Sequence, residues 1–149
     1  MGENQGEAGA VTNAAEPGGP RPLSVLIVDD EPLARMRLRT LVETCTQPKA
    51  RVVAEAGDAD GALAALQEQG ADLVLLDIAM PGRDGLRLAD ELRKRPRAPL
   101  VMFVTAHAEH ALRAFEVDAA DYLTKPVRRE RLQAALLRAA DRSAQREQA

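Results

Sequence analysis

Leu73-Val74-Leu75-Leu76-Asp77-Ile78-Ala79-Met80-Pro81-Gly82 is apolar at its first four positions and then stops in a carboxylate. A strand with one wet face alternates polar and apolar residues. One that is apolar throughout is covered on both faces, as the central strand of a parallel sheet is. Met80-Pro81-Gly82 supplies a turn, and Asp84 caps a helix with Leu88, Ala89 and Leu92 on its inner side.

The same strand-then-helix unit recurs on either side of this segment. Upstream, Leu23 to Val28 reads as a strand ending in Asp29, Asp30 and Glu31. Pro32 then opens a helix with Leu38, Leu41, Val42 and Cys45 at i, i+3, i+4 and i+7, which Pro48 ends. Arg51 to Ala56 is a second strand, and Gly57-Asp58 opens a helix carrying Ala59, Ala62, Leu63 and Leu66 on one face. Downstream, Leu100 to Val104 is a buried strand ending in Thr105. His110 to Val117 is a short helix, Asp121 to Thr124 a short fifth strand, and Val127 to about Ala140 a helix with Leu132, Ala135, Leu136 and Ala139 on one face. Five such units in succession predict an α/β fold, a five-stranded parallel sheet with right-handed crossovers and helices on both faces.

In that architecture ligands sit beyond the carboxyl ends of the strands. The residues delivered there are Asp29 and Asp30, Asp77, Thr105 and Lys125. Three carboxylates gathered in one place repel one another and call for a cation. Mg²⁺ suits hard oxygen ligands shared with a phosphate, and Lys125 can act as a point-charge phosphate partner. Asp77, at the end of the most apolar strand, is the candidate acceptor of a phosphoryl group by carboxylate nucleophilic attack. Positioning and charge neutralisation would supply the rest of the catalysis.

Composition narrows the alternatives. A chain of 149 residues holds one ordinary domain, and a net charge of −3 gives no case for a basic nucleic-acid-binding domain. The lone Cys45 excludes an intrachain disulfide and reads as a buried inert thiol, which fits a reducing cytoplasm. No stretch of about 18 apolar residues is present, so neither secretion nor membrane spanning is expected. Residues 1–22 are polar and without period, and are expected to be a disordered tail. The domain is expected over 23–140, with 141–149 a polar tail or the start of a linker. His107 and His110 lack a third ligand for zinc and read as surface residues. Arg35, Arg37 and Arg39, and Arg128, Arg129 and Arg131, read as solvated helix faces.

Val-Leu-Ile-Val-Asp-Asp-Glu-Pro at Val25 to Pro32, Leu-Leu-Asp-Ile-Ala-Met-Pro-Gly-Arg-Asp-Gly at Leu75 to Gly85, Thr105, and Tyr-Leu-Thr-Lys-Pro at Tyr122 to Pro126 together resemble the receiver domain of two-component response regulators. The resemblance covers Leu23 to about Ala140. Each motif alone is weak; the four in order are specific. It implies the flavodoxin-like strand order 2-1-3-4-5 and a phosphorylation site at Asp77. It also implies Mg²⁺ ligands from Asp30, Asp77 and the Ala79 carbonyl, with Asp29 acting through metal-bound water. Lys125 would pair with the phosphoryl oxygens, Thr105 would hydrogen-bond the phosphate, and Tyr122 would be the aromatic that follows Thr105 in the switch. A cis Lys125–Pro126 bond is implied as well.

The partner implied is a sensor histidine kinase. The output would leave through the helix 4–strand 5–helix 5 face, which is expected to form a homodimer or to release a partner, with no direct nucleic-acid or membrane contact. Such a domain is not an enzyme beyond catalysing its own phosphorylation and dephosphorylation. The stretch Thr105 to Arg128 is similar to receivers of LytTR-type, alginate-regulator-like response regulators, in which a DNA-binding output domain comes after the receiver. The polar run past Ala140 reads as a linker start, and a piece of a longer transcription regulator and a stand-alone receiver both stay open.

Competing readings fail on particular residues. A haloacid-type phosphatase needs a second Asp two residues after the nucleophile, where Ala79 stands. A dinucleotide binder needs a Gly-rich turn after the first strand, where Asp-Asp-Glu-Pro stands. A pseudo-receiver serving only as an interaction or dimerisation module stays open, though the intact acidic set argues against it.

Overall fold

A computed structural model of the chain describes residues 21–82, 84–107, 109, 111–116 and 118–148. The order is β1 (Leu23–Val28), α1 (Pro32–Glu43), β2 (Ala50–Ala56), α2 (Ala59–Glu68), β3 (Leu73–Leu76), α3 (Gly85–Arg93), β4 (Leu100–Thr105), α4 (Ala111–Glu116), β5 (Asp121–Thr124) and α5 (Arg129–Gln148). All neighbouring strands pair in parallel, in the order β2-β1-β3-β4-β5. Most of the expected N-terminal tail, residues 1–20, lies outside the described residues, as do His110 and Val117 at the expected ends of the fourth helix.

The period-two geometry of a strand sorts side chains onto the two faces of this sheet. Val25 and Ile27 of β1, Leu73 and Leu75 of β3, and Leu100, Met102 and Val104 of β4 pack with Leu38 and Val42 of α1 and Leu132, Ala135, Leu136 and Ala139 of α5. The alternate residues Leu26, Val28, Val74, Leu76, Val101 and Phe103 pack with α2, α3 and Ala114 of α4. β1, β3 and β4 are buried almost throughout because both their faces are covered, whereas the edge strand β2 exposes Arg51 and Glu55.

Two helix ends differ from the sequence expectation. α1 stops at Glu43, with Thr44 as its C-cap, so Cys45 is buried from a loop rather than from the helix. That loop turns through a cis Gln47–Pro48 bond, with Thr46 bridging Lys49. α5 continues to Gln148 instead of ending near Ala140, since no Gly or Pro interrupts residues 127–149. Near its far end Glu147 pairs with Arg21, which also ion-pairs Asp72 at 3.0 Å.

Asp58 and Asp84 cap α2 and α3, accepting from the amides of Gly61 and Arg87. Gly85, the first residue of α3, lies directly against the chain that precedes it. A Cβ there would sit 2.3 Å from the Asp77 carbonyl oxygen and 2.8 Å from the Ile78 Cα. Its amide donates to the Ile78 carbonyl at 2.9 Å, so the α3 start and the end of β3 are locked together. On β5, Asp121 accepts from Arg131 at 2.8 Å and from Arg138, both of α5. Burial alone would raise its pKa, but these guanidinium hydrogen bonds and one from the Tyr122 amide hold it down to about 2.

Gly85→Ala must push the Asp77–Ile78 backbone aside, and urea unfolding is expected to show a loss of about 1–3 kcal/mol. Asp121→Asn is expected to cost about 1–2 kcal/mol at pH 7, after allowing for the solvent that screens the half-exposed Arg131 and Arg138. The folded pKa lies below the unfolded one, so this contribution is present above about pH 4 and fades as pH falls toward 2. Wild type and variant should therefore converge in unfolding free energy between those values.

Candidate functional site

Each candidate residue stands at or just beyond the end of the strand that delivers it, and the ladder continues far enough to hold it. The Asp29 amide donates to the Ala56 carbonyl at 3.0 Å, the Asp77 amide to the Val28 carbonyl at 3.0 Å, and the Lys125 amide to the Thr105 carbonyl at 2.9 Å. The parallel register thus brings β1, β3, β4 and β5 to one edge with their terminal side chains adjacent.

There Asp29, Asp30 and Asp77 each present a carboxylate oxygen within 4.8 Å of the others. Asp29 is 1% exposed and Asp77 8%, while Asp30 is open to solvent. The Lys125 ammonium donates to Asp29 Oδ2 at 2.8 Å and to Asp77 Oδ2 at 3.3 Å. The remaining oxygens of the two buried carboxylates take backbone donors. Asp29 Oδ1 accepts from the Glu31 amide at 2.9 Å, and Asp77 Oδ1 from the Ala79 amide at 3.1 Å. Burial works against the charge on Lys125. The hydrogen bond to Asp29 and the charges of Asp77 and Asp29 outweigh it, and the ammonium's pKa is raised above the ordinary lysine value. Asp30 makes no hydrogen bond or ion pair among the described residues.

Three carboxylates therefore face one ammonium, and the donors are all hard oxygens. This set fits a divalent cation of the Mg²⁺ kind, which takes few protein carboxylates and keeps some of its waters.

Thr105 is fully buried at the end of β4, and its hydroxyl accepts from the His107 amide at 3.3 Å, bracing the turn after the strand. Tyr122 is half-buried on β5, with its ring 6.4 Å from Phe103 and its hydroxyl donating to the His107 carbonyl. Thr105 and Tyr122 thus act on the same short segment. His107 pairs with Glu109 at 3.3 Å. Lys125–Pro126 is cis, as the resemblance implied.

Some participants escaped the sequence reading. Gly85 supports the Asp77 backbone from beneath; the only hint was its position behind a helix cap. Arg35 and Arg39 are not a solvated face, for both ion-pair with Glu55 of β2, and Arg35 Nη1 also donates to the Asp29 carbonyl at 2.6 Å. The signal lay in the period, since Arg35 extends the core-facing stripe of Leu38 and Val42 by one turn toward the acidic end of β1. Arg131 stays on an exposed face, as expected, and from there ion-pairs with Asp121.

Comparison with known proteins agrees with this geometry. A family model described as the response regulator receiver domain matches residues 25–137. The positive alginate biosynthesis regulatory protein of Pseudomonas aeruginosa is 49% identical over 117 residues, covering 78% of this chain and 47% of that protein. The sensory transduction protein LytT of Bacillus subtilis is 42% identical over 114 residues, covering 76% of this chain and 46% of that protein. The chain spans less than half the length of these curated relatives. Among solved structures, the response regulatory domain of mrkE from Klebsiella pneumoniae superposes with a TM-score of 0.74 at 34% identity, over 83% of this chain and 99% of that one. The chain belongs to the response regulator receiver domain family of two-component signalling systems, among relatives of the LytTR type.

Proposed function

We propose that this domain accepts a phosphoryl group from a sensor histidine kinase on Asp77 and reports it through the α4–β5–α5 face. Receiver domains bind Mg²⁺ at acidic residues and interact with sensor histidine kinases. The observation that carries the reading here is the meeting of Asp29, Asp30 and Asp77 with the Lys125 ammonium at one edge of the sheet.

In the proposed reaction a carboxylate oxygen of Asp77 attacks the phosphorus of a phosphohistidine. The new O–P bond forms as the P–N bond breaks, and the electron pair returns to the imidazole nitrogen. Asp30, Asp77 and the Ala79 carbonyl would hold Mg²⁺, with Asp29 acting through bound water. The ion when bound neutralises charge on the transferring oxygens. Lys125 exchanges its bond to Asp77 for one to the phosphoryl group, which keeps a counter-charge beside the product.

Phosphorylation adds about −1.5 to −2 charges and three acceptor oxygens. Thr105, whose hydroxyl now braces the His107 amide, would turn toward one of them. The His107 segment would then move, and with it the carbonyl to which Tyr122 is bonded. A coupling of about 1–3 kcal/mol is usual for such linked sites and gives a partial shift of population. The remodelled face would dimerise or release a partner. We place the receiver domain at 23–140 in the cytoplasm, with the residues beyond 140, helical to Gln148, leading toward an output module. Control of transcription through a LytTR domain is the output proposed for the longer protein.

Incubation with Mg²⁺ and acetyl phosphate, then intact-mass measurement, should add one phosphoryl group to wild type and none to Asp77→Ala, with a large loss in Asp30→Ala. An unchanged wild-type mass would favour a module that only binds partners. Tyr122 is the only Tyr and there is no Trp, so its emission reports directly on its hydroxyl. Beryllofluoride with Mg²⁺ should change that emission, whereas a flat trace in a protein that is phosphorylated would remove Tyr122 from the switch.

A further inference from the structure

We infer that Arg35 is a positioning residue, which sets the affinity of the acidic pocket for a divalent cation by clamping the peptide between Asp29 and Asp30. The inference rests on the proposed Mg²⁺ site and adds to it a residue outside the ligand set.

Of the three carboxylates, two are tied from both oxygens: Asp29 by the Glu31 amide and Lys125, and Asp77 by the Ala79 amide and Lys125. Asp30 has no such partner among the described residues and is exposed, so there its carboxylate is aimed by its backbone. The peptide plane that ends in the Asp30 nitrogen begins at the Asp29 carbonyl, and Arg35 Nη1 holds that carbonyl at 2.6 Å. The guanidinium is itself anchored, since Nε donates to Glu55 Oε1 at 3.2 Å while Arg39 holds Glu55 Oε2 at 2.6 Å. Gly57 leaves the slot open, because a Cβ there would come within 3.3 Å of Arg35 Nη1. The clamp therefore runs from β2 through α1 to the one of the three carboxylates that no other described side chain orients.

Two effects of Arg35 on cation binding have opposite signs, which makes the inference testable. Its positive charge opposes a cation, so losing the charge alone would tighten binding. Its fork fixes the Asp30 backbone, so losing the geometry weakens binding, by about ten-fold where residues behind metal ligands have this role. Arg35→Lys keeps the charge but not the two-point fork, and Arg35→Gln removes both.

Mg²⁺ alone is titrated calorimetrically into wild type, Arg35→Lys, Arg35→Gln and Glu55→Gln, with the thermal midpoint of each recorded in the absence of metal. The expected result is a weaker Kd, by about ten-fold, in both Arg35 variants, a smaller weakening in Glu55→Gln, and a rate of phosphoryl uptake from acetyl phosphate that returns to the wild-type value at saturating Mg²⁺. An unchanged Kd, a tighter Kd in Arg35→Gln, or an uptake rate that stays low at saturation would overturn the inference. If the Arg35 variants do not fold, Glu55→Gln decides, and a wild-type Kd there counts against the clamp. No Mg²⁺ binding by wild type would instead sink the metal site itself.

Discussion

The carboxylates of Asp29 and Asp77 are held side by side by one ammonium, 2.8 and 3.3 Å away. Two such charges about 5 Å apart repel by about 3–4 kcal/mol at an effective dielectric of about 20. The pocket is tolerable because Lys125 sits between them and because backbone amides fill the remaining oxygens. Lys125 comes from β5 at the sheet edge, Asp77 from β3 at the centre and Asp29 from β1 on the far side of it. The site therefore exists only when the strand order is correct, and the fold and the chemistry share one constraint.

That constraint explains why so much was legible from sequence. The runs Leu73–Leu76 and Leu100–Val104 are apolar because two helical layers cover them, and a parallel strand covered on both faces leaves that mark. Polar residues at the ends of such runs have one place to go. Asp29, Asp77, Thr105 and Lys125 are conspicuous because each interrupts an apolar stretch or directly succeeds a short strand. The parity of each strand even sorts the two cores, with odd-numbered β3 residues facing α1 and α5 and even-numbered ones facing α2 and α3.

The features that were not legible depend on contacts between elements rather than on periods within them. Arg35, Arg39 and Arg131 look like surface charge in sequence, and nothing local says that Glu55 or Asp121 will arrive beside them. The end of α1 at Glu43 turns on a cap and a tight loop rather than on Pro48. The continuation of α5 past Ala140 was missed because a polar run carries no apolar stripe, although its residues are good helix formers. In the first two cases the deciding information lies in another segment of the chain or in loop geometry, and in the third it lies in propensity alone.

α5 begins four residues after Lys125 and runs to Gln148, near whose end Glu147 meets Arg21 ahead of β1. Its 20 residues form a rod about 30 Å long. Leu132, Leu136 and Ala139 seat its flank on the sheet. The helix thus spans the depth of the sheet, from the edge that carries the acidic pocket to the edge at which β1 and β3 begin, where Arg21 and Asp72 hold its last turn.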